Sequence, residues 1–160
     1  MPHLVIYDDL GLRDFKETWE YQDRFFNLKV AEKGRPDAEG EKTLDRLIFV
    51  EHNHVYTLGK SGSEQNLLLD YIQLQAREAS FYRIDRGGDI TYHGPGQLVG
   101  YPIFDLEAMD LGLREYIHLL EEAIIRGISR FDIEGSRLEG ATGVWIDPDS
   151  AARARKICAI

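Results

Sequence analysis

Apolar and polar positions alternate along this chain in two rhythms, one suited to strands and one to helices. His3–Tyr7 is a short β-rich run. From Phe15 the positions Phe15, Trp19, Gln22, Phe26 and Val30 keep helical spacing and predict one mostly apolar stripe. Asp14 stands where a helix N-cap belongs, and Gly34 and Pro36 stop the pattern. The polar stretch Arg35–Lys42 reads as a connecting loop, and Leu44–Glu51, which holds LIFV, as a buried strand. Gly59-Lys60-Ser61-Gly62 is a loop, Asn66–Ala79 a weakly patterned short helix, and Phe81–Ile84 a strand. A glycine-rich loop then leads to a strand over Gln97–Phe104, where Pro102 predicts an edge or bulged position.

The second helix is clearer. Leu113, Ile117, Leu120, Ile124, Ile128 and Phe131 form an apolar stripe, with Glu115, Glu121, Glu122 and Arg126 on other faces. Gly143–Asp147 and Lys156–Ile160 read as strands joined by the turn-rich segment Pro148–Arg155, a hairpin. Strands and helices intermix without a regular βαβ rhythm, which predicts an α+β fold, a mixed sheet flanked by helices, in a single domain over 1–160.

Composition narrows the function classes. The 160 residues carry a net charge of −9 and one cysteine, Cys158, so an intramolecular disulfide and a cysteine-rich zinc site are both ruled out. The acidic balance argues against non-specific binding to nucleic acid or to an anionic membrane, which needs clustered cations. A local basic face is still allowed, with Arg83, Arg86, Arg137, Arg153 and Arg155 as its members. No apolar run approaches the ~18 residues of a membrane span. MPHLVIYDDLG lacks the basic start of a secretory signal, so the expected location is the cytoplasm.

The segment RGGDITYHGPGQLVGYP, Arg86–Pro102, is the most informative. Five of the 15 glycines lie between Gly87 and Gly100, and glycine gathers where backbone takes positive φ or approaches a ligand. Arg86, Tyr92 and His93 add a fixed cation, a phenol and an imidazole. Neither phosphate-binding glycine motif fits, so this is a ligand loop or a tight hairpin with an aromatic cover.

Other candidates are weaker. His52 and His54 would share one strand face as a metal pair, but no third ligand stands nearby, and structural or substrate-lining roles fit better. Cys158 lies in apolar ICAI and reads as a buried, inert thiol. Lys156 opens the same strand beside Arg153 and Arg155. Desolvated at a strand mouth it would serve as a base; otherwise it is an ordinary strand-edge lysine.

RGGDITYHGPGQLVGYP, preceded by EHNHVYTLGKSG and followed by TGVWID and KICAI, closely resembles the lipoyl(octanoyl) transferase family from about Leu47 onward. The resemblance implies the fold of biotin and lipoate protein ligases, class II synthetase-like, here without the C-terminal part of the family domain. It implies transfer of an octanoyl or lipoyl group from acyl carrier protein to one lysine of lipoyl domains. Those domains belong to the 2-oxoacid dehydrogenase E2 subunits and the glycine-cleavage H protein. The chemistry is ping-pong through a cysteine thioester, with no metal, cofactor, nucleic acid or membrane.

Carried over by position, Arg86, Gly87, Gly88, Asp89, Ile90, Thr91, Tyr92 and His93 would line the acyl-substrate site. Lys156 would be the dyad lysine that draws the proton from the nucleophilic cysteine, and Ala159 and Ile160 would supply backbone contacts near the thioester carbonyl. The family nucleophile, in a Pro-Cys-Gly context, is expected beyond Ile160, so Cys158 is not assigned that role and the 160 residues alone are expected to lack full activity. Two alternatives stay open: an ATP-dependent lipoate- or biotin-protein ligase, and a binding fragment without turnover.

Overall fold

Asp14 joins the first strand to the first helix. In the computed structural model, which describes residues 4–34, 43–150 and 152–160, its carboxylate accepts from the N–H groups of Lys16 and Glu17 at 2.8 and 3.2 Å. Two donors that a helix start leaves open are thereby satisfied. Helix α1, Phe15–Lys33, follows, with Gly34 at its C-cap. Pro36, His3 and the predicted loop Arg35–Lys42 lie outside the described residues.

The buried face of α1 departs from the predicted stripe. Phe15 and Thr18 are buried as the helix starts, but Phe26 and Val30 are 56% and 53% exposed. Polar partners rotate the contact by one position. The Arg46 guanidinium lies 3.8 Å from the Phe25 ring centroid, and Lys29 reaches inward to the buried Asp45 at 2.7 Å. A cation over an aromatic face and a shielded ion pair hold these positions in place of an apolar stripe.

Strand β1 (Val5–Arg13) is longer than the run that predicts it. Gly11, at φ +60°, absorbs a register shift between Asp9 and Leu12. It pairs in parallel with β2 (Asp45–His52). Two strands then form with partners of their own, β3 (Val55–Leu58) and β4 (Ser80–Arg83), which pair in parallel. Between them lie a 3₁₀ turn, Glu64–Asn66, and the short helix α2 (Tyr71–Ala76), which Asp70 and Gln73 close with a capping box. The segment Ile90–His93, read as loop from its glycine-rich surroundings, is a strand, β5, antiparallel to β3. Its residues Ile90, Thr91 and Tyr92 have high strand propensity, but the run is too short for the alternation to register. Strand β6 (Val99–Ile103) pairs antiparallel with β2, and Pro102 lies on this edge strand, opposite Leu47.

The chain divides into two compact units, Met1–Phe104 and Asp105–Ile160. The first contains two mixed three-stranded sheets, ordered β1-β2-β6 and β4-β3-β5. Ile48, Val50 and His52, alternate residues of β2, are fully buried, and Val55, Leu58 and Phe15 are buried in the same unit.

The second unit holds helix α3 (Leu113–Ser129) and the antiparallel sheet β7 (Ser136–Leu138), β8 (Ala141–Ile146) and β9 (Arg155–Cys158), with the predicted hairpin between the last two. Leu113 and Phe131, at the ends of the predicted apolar stripe, are 70% and 76% exposed. Glu121, expected on a polar face, is instead only 8% exposed. An arginine and a backbone N–H on the neighbouring strands require its carboxylate there, as described below. The architecture is α+β with mixed sheets, as the element pattern predicts. Among the described residues, no helix is long and apolar enough to cross a membrane.

Candidate functional site

The glycine-rich segment is held by a second loop, 59–66, that lies against it. Lys60 N–H donates to the Arg86 carbonyl at 2.9 Å, and Gly59 N–H to the Asp89 carbonyl at 3.3 Å. Asp89 then accepts from the Ser63 N–H at 3.2 Å and from the Asn66 side-chain amide. The approach is so close that a Cβ on Gly59 would meet the Gly88 carbonyl oxygen and stand 2.7 Å from that of Gly87. Glycine at 59 is therefore a packing requirement.

Arg86 is the strut of this arrangement. Its Nη2 donates to the Thr57 carbonyl at 2.8 Å, the Thr57 hydroxyl at 2.9 Å and the Asp89 carbonyl at 2.9 Å, and its Nη1 to the Gly87 carbonyl at 2.9 Å. Burial lowers the guanidinium's pKa from its ordinary value, and Asp89 opposes that shift. Gly87 and Gly88 stay exposed, Gly88 at φ +83°.

Strand alternation sends the next side chains to opposite faces. Tyr92 stacks on His54 with centroids 6.0 Å apart, and its hydroxyl shares a hydrogen bond of 2.6 Å with His54 Nδ1. Gly94 is glycine because a Cβ there would run into the Tyr92 hydroxyl. His54, Tyr56, Arg77, Ala79 and Tyr92 line a cleft of about 300 Å³. His93 takes the other face, its ring centroid 6.1 Å from that of His52. Its Nδ1–H donates to Gln97 Oε1 at 2.6 Å, the tautomer that leaves Nε2 as an acceptor.

The two histidines of EHNHVYTLG are not a pair on one strand. His52 ends β2 and is buried, whereas His54 lies beyond the strand end and is exposed. His52 Nδ1–H donates to the Arg13 carbonyl at 3.2 Å, and Nε2 accepts from the Tyr101 hydroxyl at 2.9 Å. Burial pushes the His52 pKa down, His93 adds to the shift, and the Arg13 carbonyl and Asp14 oppose it. Burial also pushes the Tyr101 phenol up. Among the described residues, no group of three or more His, Cys, Asp or Glu side chains is placed to hold a metal ion.

In the second unit, Lys156 lies on the edge strand β9 and is exposed, so the desolvated strand-mouth lysine is not what forms. Its Nζ donates to the Thr142 carbonyl at 2.9 Å and lies 4.8 Å from the Trp145 ring centroid. Ala159 and Ile160 follow the strand and are exposed. The Cys158 thiol is half-buried, and burial pushes its pKa up; Lys156 opposes the shift and Glu121 adds to it. The apolar ICAI context predicts a buried thiol; this one is half-buried, in surroundings that disfavour its thiolate.

The predicted basic face shrinks. Arg83 pairs with Glu64, Arg86 is used within its loop, and Arg137 binds Glu121 and Glu122 at 3.0 Å each. Arg153 and Arg155 stay exposed near Lys156 in the chain. Sequence reasoning passed over Thr57, Thr142 and the buried Glu121. Thr57 and Thr142 lay in strings already singled out, EHNHVYTLGKSG and TGVWID, and Glu121 in none.

Comparisons with known proteins agree with these motifs. Residues 14–160 match the model of the lipoyl protein ligase A/B catalytic domain. An octanoyltransferase of Parabacteroides distasonis is 54% identical over 154 residues, covering 96% of this chain and 68% of the relative. Octanoyltransferases of Cytophaga hutchinsonii and Flavobacterium psychrophilum are 50% and 52% identical over 98% and 100% of this chain. The chain spans about two thirds of the length of these curated relatives, 66–69%. Among solved structures, the bipartite lipoate protein ligase of Thermoplasma acidophilum superposes with a TM-score of 0.56 at 16% identity, over 97% of this chain and 54% of that one. P. falciparum LipL1 in complex with lipoate gives 0.57 at 12% identity, over 90% and 41%. At such identities the likeness speaks to the fold, which is shared. A motif string resembling lipoyl(octanoyl) transferases, a family match running through both compact units, and relatives at half identity or more agree: the chain belongs to the lipoyl protein ligase A/B catalytic domain family, on its octanoyltransferase branch of acyltransferases.

Proposed function

We propose that this protein transfers an octanoyl group from acyl carrier protein to a lysine of lipoyl domains through a cysteine thioester. The acceptors would be the 2-oxoacid dehydrogenase E2 subunits and the glycine-cleavage H protein. The observation that carries the reading is the identity with octanoyltransferases along nearly the whole chain. Both compact units belong to one catalytic domain in this reading, and the reaction runs in the cytoplasm. Arg86 through His93 form the acyl-substrate wall, and Ala159 and Ile160 lie beside the thioester carbonyl. The cysteine that carries the acyl group follows Ile160.

The proton balance runs through Lys156. The cysteine thiol gives its proton to the Lys156 amine, and the thiolate attacks the carrier thioester. The carrier's thiolate leaves and takes the proton back from the Lys156 ammonium. In the second half, the target lysine attacks as a neutral amine. The enzyme's thiolate departs, and Lys156 accepts the proton that the new amide sheds and returns it to that thiolate, restoring the starting thiol and amine. The Thr142 carbonyl and the Trp145 ring support this role, because both hold the Lys156 Nζ in one place. Arg153 and Arg155 are the basic contacts for acidic protein partners.

The test is transfer from octanoyl-acyl carrier protein to a purified lipoyl domain without ATP, read by the mass of the domain. Octanoylation on one lysine supports the proposal. A requirement for ATP and free octanoate would replace it with a ligase, and binding of either partner without acylation would make the protein a docking module.

A further inference from the structure

Glu121 is the least expected side chain in the second unit: a carboxylate on a helix face, almost wholly buried. Its two oxygens are divided between two partners. Oε2 accepts from Arg137 Nε at 3.0 Å, which balances the buried charge. Oε1 accepts from the Gly143 N–H at 2.9 Å. That N–H belongs to the peptide group whose carbonyl is Thr142's, and the same carbonyl accepts from Lys156 Nζ at 2.9 Å. A trans peptide is planar and places its N–H and C=O on opposite edges. Glu121 and Lys156 thus bind the two ends of one rigid dipole.

We propose that Glu121 is a positioning residue for Lys156, acting through the Thr142–Gly143 peptide; this rests on Lys156 being the proton carrier. Two features of the backbone agree. Gly143 is at φ +114°, and a Cβ there would meet the Cys158 carbonyl oxygen, so glycine is what lets this peptide turn its N–H toward the helix. The β8–β9 ladder also shifts register between Val144 and Trp145, the irregularity that sets Trp145 opposite Lys156. A carboxylate on the N–H end polarises the peptide and makes the carbonyl a stronger acceptor, because hydrogen bonds in a chain reinforce one another. Glu121 therefore both aims the Thr142 carbonyl and strengthens its hold on the ammonium.

Two measurements on the 160-residue chain test this. The first compares Glu121→Gln, which keeps an acceptor for Gly143 but removes the charge, with Glu122→Gln, which loses a partner of Arg137 without touching Gly143. NMR coupling across the hydrogen bond between Lys156 Nζ and the Thr142 carbonyl carbon should weaken in Glu121→Gln and hold in Glu122→Gln. Competitive labelling of Lys156 by acetic anhydride should rise about twofold in that variant, as the Gly143 N–H loses its charged acceptor. Unchanged coupling and labelling in folded Glu121→Gln would overturn the proposal.

The second needs no buried substitution. The link is reciprocal, so Lys156→Met, at an exposed site, should move the Gly143 amide proton upfield; an unmoved resonance would overturn the proposal equally. The transfer assay, run on the full-length protein, separates the two claims. Full octanoyl transfer by Lys156→Met would overturn the proton-carrier reading and with it the catalytic meaning of the coupling. Loss of transfer in Lys156→Met with unaltered Lys156 labelling in Glu121→Gln would overturn the positioning role alone.

Discussion

Arg86 Nη2 donates to both oxygens of Thr57, the carbonyl at 2.8 Å and the hydroxyl at 2.9 Å, and so pins the glycine-rich loop to the buried strand β3. The cation that heads the most family-specific string of the sequence is also the strut of its loop. Thr57 is fully buried, so removing the guanidinium leaves its hydroxyl without that donor. Arg86→Ala is expected to lower stability by about 2 kcal/mol, and Thr57→Val, which keeps the carbonyl acceptor, by about 1 kcal/mol. Urea unfolding measures both. Equal losses would mean that the hydroxyl carries the whole interaction.

The two facing loops predict a second result. Gly59→Ala places a methyl group against the Gly88 and Gly87 carbonyls, which are backbone and cannot rotate away. It should cost about 1–3 kcal/mol and part the loops. Gly87→Ala, with open space around it, should be milder. Hydrogen exchange at the Lys60 amide reads the parting directly, because that N–H donates to the Arg86 carbonyl.

A pH dependence follows from His52. Burial holds its folded-state pKa below the ordinary value, so the unfolded chain binds the proton more readily. The stability this site contributes is complete above the unfolded pKa, about 6.5, and falls as pH drops below it. The slope from this one site is at most about 1.4 kcal/mol per pH unit. Urea midpoints between pH 7.5 and 5.5 should fall more steeply in the native chain than in His52→Asn. Parallel slopes would place the titrating group elsewhere.

Cys158 should behave as a structural thiol. With burial and Glu121 both disfavouring its thiolate, iodoacetamide at pH 7.5 should modify it at least about tenfold more slowly than a free cysteine. Mass spectrometry over time measures this. Alkylation at the free-cysteine rate would make the site reactive.

What the sequence made legible was whatever has a period or a motif. The helix start at Asp14, the edge position of Pro102 and the β8–β9 hairpin were all readable, because capping, the missing N–H of proline and turn composition act locally. The burial of Glu121 was not, since periodicity places a glutamate on a polar face and only a partner arginine 16 residues away brings it inward. The exposure of Phe26 likewise depends on Arg46 reaching Phe25 from another element. In the candidate site, the RGGDITYH string marked a glycine-rich loop, but no local signal foretold that its arginine is spent on Thr57. The role proposed for Lys156 rests on resemblance; its partners, the Thr142 carbonyl and the Trp145 ring, are set by the fold of β8 and β9.

The most direct test of the account is intact-mass analysis and peptide mapping of the full-length protein after incubation with octanoyl-acyl carrier protein in the absence of ATP. The account predicts a single octanoyl thioester on a cysteine that follows Ile160, formed far more slowly in Lys156→Met, with Cys158 unmodified. An octanoyl group on Cys158, or no acyl-enzyme until ATP is added, would contradict it.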